Sequence, residues 1–209
     1  MVRPAPNGCG PSVRGMLSYP VPEVEPAARG IGWLRANVSR FANGEVHARR
    51  RAIVEEIVAG IDLDGLRRAY DGHPVAPLAR ALGVAERVMP GVVADVRVAA
   101  AAYQTGDAAA DSAVDRLVAV FGGEYDERTA AHIQVLVQAC DATATLIERA
   151  RTRTVDEVLR TDPPVAATRR VGPDGTVVVV PLTATPFGAG PRGCPGREHA
   201  LALVEGALR

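Results

Sequence analysis

The 209-residue chain has no lysine, and with three Phe, four Tyr and one Trp it is poor in aromatic side chains. It also has no excess charge of either sign, since 24 basic residues balance 24 acidic ones. That balance excludes a general attraction to nucleic acid or anionic lipid. No apolar run is long enough to cross a bilayer, and the start of the chain lacks the basic and apolar regions of a secretory leader. A cytoplasmic protein with no membrane contact is therefore expected. Cysteine is scarce and odd in number, at Cys9, Cys140 and Cys194, which argues against disulfides and for a ligand or core role for each thiol. No fixed-period repeat is present. The length suits one domain with its own core.

What the chain does have is alanine, valine and arginine, a composition that fits a mainly helical protein. Residues 1–32 differ: Pro4, Pro6, Pro11, Pro20, Pro22 and Pro26, mixed with glycines, predict an extended, loosely ordered arm, either laid across the body or a flexible leader. Residues 33–209 read as a single domain. Trp33 to Val58 has a helical pattern broken at Asn43 and Gly44, and its second piece carries His47 and Arg51 one turn apart on one face. Alone, such a pair reads as a solvated face. Further helices are predicted over 75–82, 92–104 and 108–121, with His73 in a surface turn.

The strongest helical pattern runs over 128–151, with Ile133, Leu136, Val137, Cys140, Leu146 and Ile147 near one side. Its centre, Ala139 to Thr145, is small or polar where a core helix places larger apolar groups. A groove over a ligand would explain this. A short helix over 154–160 puts Glu157 and Arg160 at ion-pair spacing, and 171–180 reads as one β-hairpin around a Pro-Asp-Gly turn.

Close to the C-terminal end lies the run Phe187, Gly188, Ala189, Gly190, Pro191, Arg192, Gly193, Cys194, Pro195, Gly196. The glycines let the backbone turn, and Pro195 suits the first position of a helix that continues through 200–208. Two readings stand. One is a Gly-rich turn with a buried free cysteine. The other is a thiol held at the mouth of a helix whose N-terminus lowers its pKa.

At these residues the sequence resembles the haem-binding loop of the cytochrome P-450 superfamily: Phe187, Gly188, Gly190, Arg192, Cys194 and Gly196 fill every constrained place of that pattern. The resemblance implies a b-type haem, iron protoporphyrin IX. It makes Cys194 the axial thiolate, Phe187 the cover over the sulfur and Arg192 a propionate partner. FANGEVHARRR resembles the family's helix whose His and Arg reach the propionates, here His47 and Arg51. The segment LRTDPPVAATRRV resembles its Glu-x-x-Arg helix and the strand after it. That implies a buried pair of Glu157 with Arg160 and a propionate contact from Arg169. QACDATATLI resembles the long distal helix, in which an acid directly followed by threonine manages protons on dioxygen.

Here Asp141 keeps the acid, but Ala142 follows it. Thr143, the next hydroxyl, stands about a hundred degrees further around the helix. Asp141 and Thr143 are the candidate catalytic residues. A positioned proton donor commonly contributes about 10²–10⁴-fold in rate, so the departure bears on ordinary monooxygenation. The resemblance implies a mainly α, minimal P-450-like fold with one small hairpin, strongly shortened and lacking the F/G-helix roof. It further implies a haem-thiolate oxidoreductase acting on a small molecule, in bacterial specialised metabolism, driven by a ferredoxin-type redox partner or by peroxide. The alternative is an accessory P-450-like haem protein that stabilises a partner enzyme. An open distal face predicts that the arm, a second copy in a homodimer, or a partner protein closes it.

Overall fold

A computed structural model describes residues 3–4 and 12–209. Cys9 and the rest of the proline-rich start lie outside the described residues. In chain order the elements are β1 (Arg3–Pro4), α1 (Val13–Met16), α2 (Gly30–Asn37), α3 (Gly44–Ala59), α4 (Leu63–Ala69), α5 (Val75–Ala81), α6 (Met89–Ala102), α7 (Asp111–Val120), α8 (Glu127–Ala150), α9 (Val155–Thr161), β2 (Ala167–Val171), β3 (Val177–Pro181) and α10 (Arg197–Ala207). The predicted helices are all present within a few residues of the expected ends. The single turn α1 and the short α4 were not expected.

α8 is the axis of the fold. Asp126 caps it, accepting a 2.7 Å bond from the Thr129 N–H, and Glu127 favours its positive end while Arg149 favours its negative end. Its apolar side, Ile133, Leu136, Val137 and Cys140, is buried against α2, α6, α7 and α10. Burying a side chain of that size contributes roughly 1.5–3 kcal/mol. The far end of α8 joins α9 and α10 in a second cluster built on Leu146, Ile147, Val158 and Val204.

Polar contacts fix how the helices meet. Glu127 at the start of α8 takes bonds from Arg49 at 2.8 and 3.0 Å and from Arg50 at 2.7 Å, which ties α3 to α8. Asp111 and Asp115 of α7 accept from the Ile31 and Gly30 N–H groups at 2.9 and 3.1 Å, so α2 is capped by a neighbour rather than by its own residue. Gly30 has φ +64°, and a Cβ there would lie 2.2 Å from the Asp111 carboxylate. α10 packs on α4 so closely that a Cβ on Gly206 would lie 2.5 Å from the Arg67 carbonyl oxygen.

The hairpin forms as predicted, with β2 and β3 antiparallel and Arg169 opposite Val179. β1 adds a parallel strand on the other side of β3, giving the order β1-β3-β2. Met16 and Leu17 pack on Val180 and Leu182. The backbone of Val21 is held by the Asn43 side chain at 2.8 and 2.9 Å, and Pro20 O accepts from Val171 N–H at 2.8 Å. The described part of the arm is thus tied to the sheet and to the entry of α3.

Candidate functional site

The cysteine loop turns where its glycines stand. Gly188 and Gly190 take φ +72° and +62°, a region that favours residues without a Cβ. The turn is stitched by Gly188 N–H to Thr185 O at 2.7 Å, Gly193 N–H to Gly190 O at 2.9 Å and Cys194 N–H to Phe187 O at 2.7 Å. Arg192 is pinned by bonds to Ala42 O and Asn43 Oδ1, both 2.8 Å, and the Arg197 guanidinium lies 5.5 Å from the Phe187 ring centre. Asn43 therefore joins three parts of the chain: the arm, the start of α3 and the cysteine loop. The helix itself starts at Arg197 with Gly196 as its cap, so Pro195 stands before the cap and not at the first helical position.

Cys194 faces a cavity of about 440 Å³ enclosed by this loop, α3, α8, α10 and the arm residue Leu17. The thiol is accessible from the cavity yet surrounded by protein, and burial pushes its pKa up. The Gly196 N–H and Arg51 pull the other way, but less. The expected lowering by the helix terminus is thus overturned: desolvation of the sulfur outweighs one N–H and a guanidinium. The other described thiol, Cys140, is buried on the core side of α8, and burial, with Asp141 beside it, drives its pKa up to about 12.

α8 lines the same cavity with Ala139, Asp141, Ala142 and Thr143. The small residues at its centre do form a groove wall. Asp141 is exposed, Thr143 is buried, and both line the same space.

One edge of the cavity is strongly cationic. His47, Arg51 and Arg192 line it, as do Arg40 and Arg170, which had not been singled out. Arg51 pairs with Glu55 at 2.7 Å. Arg40, Arg170 and Arg192 have no ion pair among the described residues. Arg40 donates to Thr168 Oγ1 at 3.1 Å, and Arg170 donates to the same oxygen at 2.7 Å and to Leu17 O at 3.2 Å. Burial and the mutual repulsion of these guanidiniums push Arg170 down to about 10 and lower Arg192. Burial, with Arg192 and Arg51 nearby, also lowers the His47 pKa, which disfavours its charged form.

Two expectations change here. Arg169 is exposed and stands outside the cavity, while Arg170 and Thr168 line it. Strand alternation sends neighbouring side chains to opposite faces, and the inward parity belongs to 168 and 170. Glu157 and Arg160 are both exposed and make no ion pair with each other among the described residues, because α9 buries only Val158. His73 accepts from the Val75 N–H at 3.3 Å and starts α5, a structural role in a turn.

Several lining groups carried no sequence signal. Tyr103 ends α6, is 3% exposed and borders the cavity, and its hydroxyl has no hydrogen-bond partner among the described residues. Gln134 is buried on α8 and accepts from Ser39 N–H and Oγ at 3.0 and 3.2 Å. His199 borders the cavity from α10, with Nε2 2.8 Å from Val58 O.

No family model matches the chain, and no curated protein does. Solved structures do. The crystal structure of CalO2 is 17% identical and superposes with a TM-score of 0.60, covering 88% of this chain and 73% of that one. Ligand-free CYP164A2 of Mycobacterium smegmatis is 20% identical with a TM-score of 0.56, covering 94% and 79%. The fold is mainly helical and cytochrome P-450-like. Within it, the cavity between α8 and the cysteine loop has a donor set that fits a haem. It offers a soft sulfur, an arginine edge with three guanidiniums that have no acidic partner among the described residues, and small residues on α8. Among the described residues no helix is long and apolar enough to cross a membrane.

Proposed function

We propose that the chain is a haem-thiolate oxidoreductase acting on a small molecule. The observation that carries this reading is that Cys194, the small-residue stretch of α8 and three arginines without acidic partners among the described residues all line one cavity. Cys194 would hold the iron of a b-type haem, giving up its thiol proton on ligation. Arg170 and Arg192 would hold the propionates, each through a fork of N–H donors, with His47 donating from α3. When bound, the haem supplies the redox chemistry. Phe187 screens the sulfur, and Asp141 holds or delivers a proton on the α8 side, with the Thr143 hydroxyl one position beyond Ala142. A ferredoxin-type partner or peroxide would supply oxidising equivalents.

The second reading is an accessory haem protein. It is favoured by Ala142, which denies Asp141 the adjacent hydroxyl, and by Glu157 and Arg160, which are exposed and make no ion pair with each other among the described residues. The reduced carbon monoxide spectrum tests what the two readings share. A thiolate-shifted Soret band is expected in the parent protein and absent in Cys194→Ala, and no such band in the parent removes both. Turnover with peroxide or with a ferredoxin pair separates enzyme from accessory protein.

A further inference from the structure

With Arg170 and Arg192 assigned to the two propionates, the cationic edge still holds a further guanidinium, that of Arg40. Arg51 is matched by Glu55, which leaves Arg40, Arg170 and Arg192 without an acidic partner among the described residues. Arg170 and Arg192 are anchored to backbone carbonyls, of Leu17 and Ala42. Arg40 is not: its hydrogen bond goes to Thr168 Oγ1, and its guanidinium lies 5.6 Å from the Phe41 ring centre. Phe41 also packs on Tyr103, with ring centres 5.1 Å apart, and Arg40 and Tyr103 are near enough to act on each other electrostatically. Tyr103 lines the cavity, its buried hydroxyl has no hydrogen-bond partner among the described residues, and burial raises the phenol pKa, which keeps its proton available.

Among the described residues, a donor without a hydrogen-bond partner and a cation without an acidic partner line one cavity, which marks a place for an anionic oxygen. We propose that Arg40 and Tyr103 form a subsite for the carboxylate of an otherwise apolar small-molecule substrate, a reading that rests on haem occupying the same cavity. The guanidinium fork and the phenol O–H supply donors to both carboxylate oxygens. Val54, Val58 and Leu78 line the same cavity and suit a hydrocarbon remainder. A neutral ester would leave the cation without its counter-charge and bind less well.

The test is calorimetric titration of the haem-loaded full chain with 3-phenylpropionate and with its methyl ester. The acid is expected to bind at least about tenfold more tightly than the ester, and Tyr103→Phe and Arg40→Gln should each remove that preference. Tyr103→Phe should leave the melting temperature unchanged or raised, since it deletes a buried polar group that has no partner. Equal binding of acid and ester, or a preference intact in either variant, overturns the subsite. Carbon monoxide spectra of the same samples keep the two ideas apart: a missing thiolate band counts against haem, and an intact band without acid preference counts against the subsite alone. If no haem loads, the same titration on the chain alone decides. A preference lost in Arg40→Gln but kept in Arg170→Gln supports the subsite, and the reverse overturns it.

Discussion

Single side chains settle which charges face the cavity, and there strand parity outweighs motif spacing. The motif points to Arg169, but the strand turns Arg170 inward with Thr168 and leaves Arg169 exposed. If the inward arginine holds a propionate, Arg170→Gln should weaken haem binding about tenfold, because a charge-assisted hydrogen bond is worth about 1.5–3 kcal/mol. Arg169→Gln should leave it unchanged, and haem titration of the two variants checks the contrast. The loop glycines, Cys194, Arg192 and the small centre of α8 were legible because each occupies a place that only a few residue types can fill. Tyr103, Arg40 and Gln134 were not. They meet at the cavity from segments far apart in the chain, and none belongs to a periodic pattern. The Cys194 pKa was misjudged for a related reason: local sequence reveals a helix start, whereas the burial that dominates comes from distant segments.

Among elements, the join between α3 and α8 is the most strongly charged, and it has a pH signature. Arg49 is the main cause, with Arg50, of a Glu127 carboxylate held down to about 2 against an ordinary 4.5. A depressed acid stabilises the fold at pH values above its ordinary pKa, and that contribution fades as pH falls from 4.5 toward 2. Glu127→Gln should therefore cost about 1–2 kcal/mol near neutrality, less than the shift alone implies because Arg49 is solvent-screened. The cost should shrink steadily below about pH 4, and urea denaturation of parent and variant at several pH values measures it. Helix positions were well legible because caps and apolar spacing are local. α4 escaped notice because only Leu66 is buried in its seven residues. α9 was placed correctly, but its exposed Glu157 and Arg160 show that a matching motif does not bring the packing that buries it elsewhere.

For the whole molecule, the deciding feature is how distant parts of the chain are fastened together. Asn43 bonds to the Val21 backbone on one side and to Arg192 on the other, so the arm and the cysteine loop share one amide. Asn43→Ala should loosen both: tryptic cleavage at the exposed Arg14 should speed up several-fold, and haem retention should fall with it. Cleavage unchanged from the parent would show that the sheet alone holds the arm. Composition and spacing indicated a single mainly helical body, but not this fastening, because proline-rich sequence tells where helices are absent and not what the backbone binds instead. The fastening also sets an order of events during synthesis. Residues 12–22 are made long before β2 and β3, and at a usual elongation rate they wait on the order of ten seconds for those partners. Through that interval Met16 and Leu17 have no sheet to cover them, and the cavity is one wall short until the last fifth of the chain has emerged.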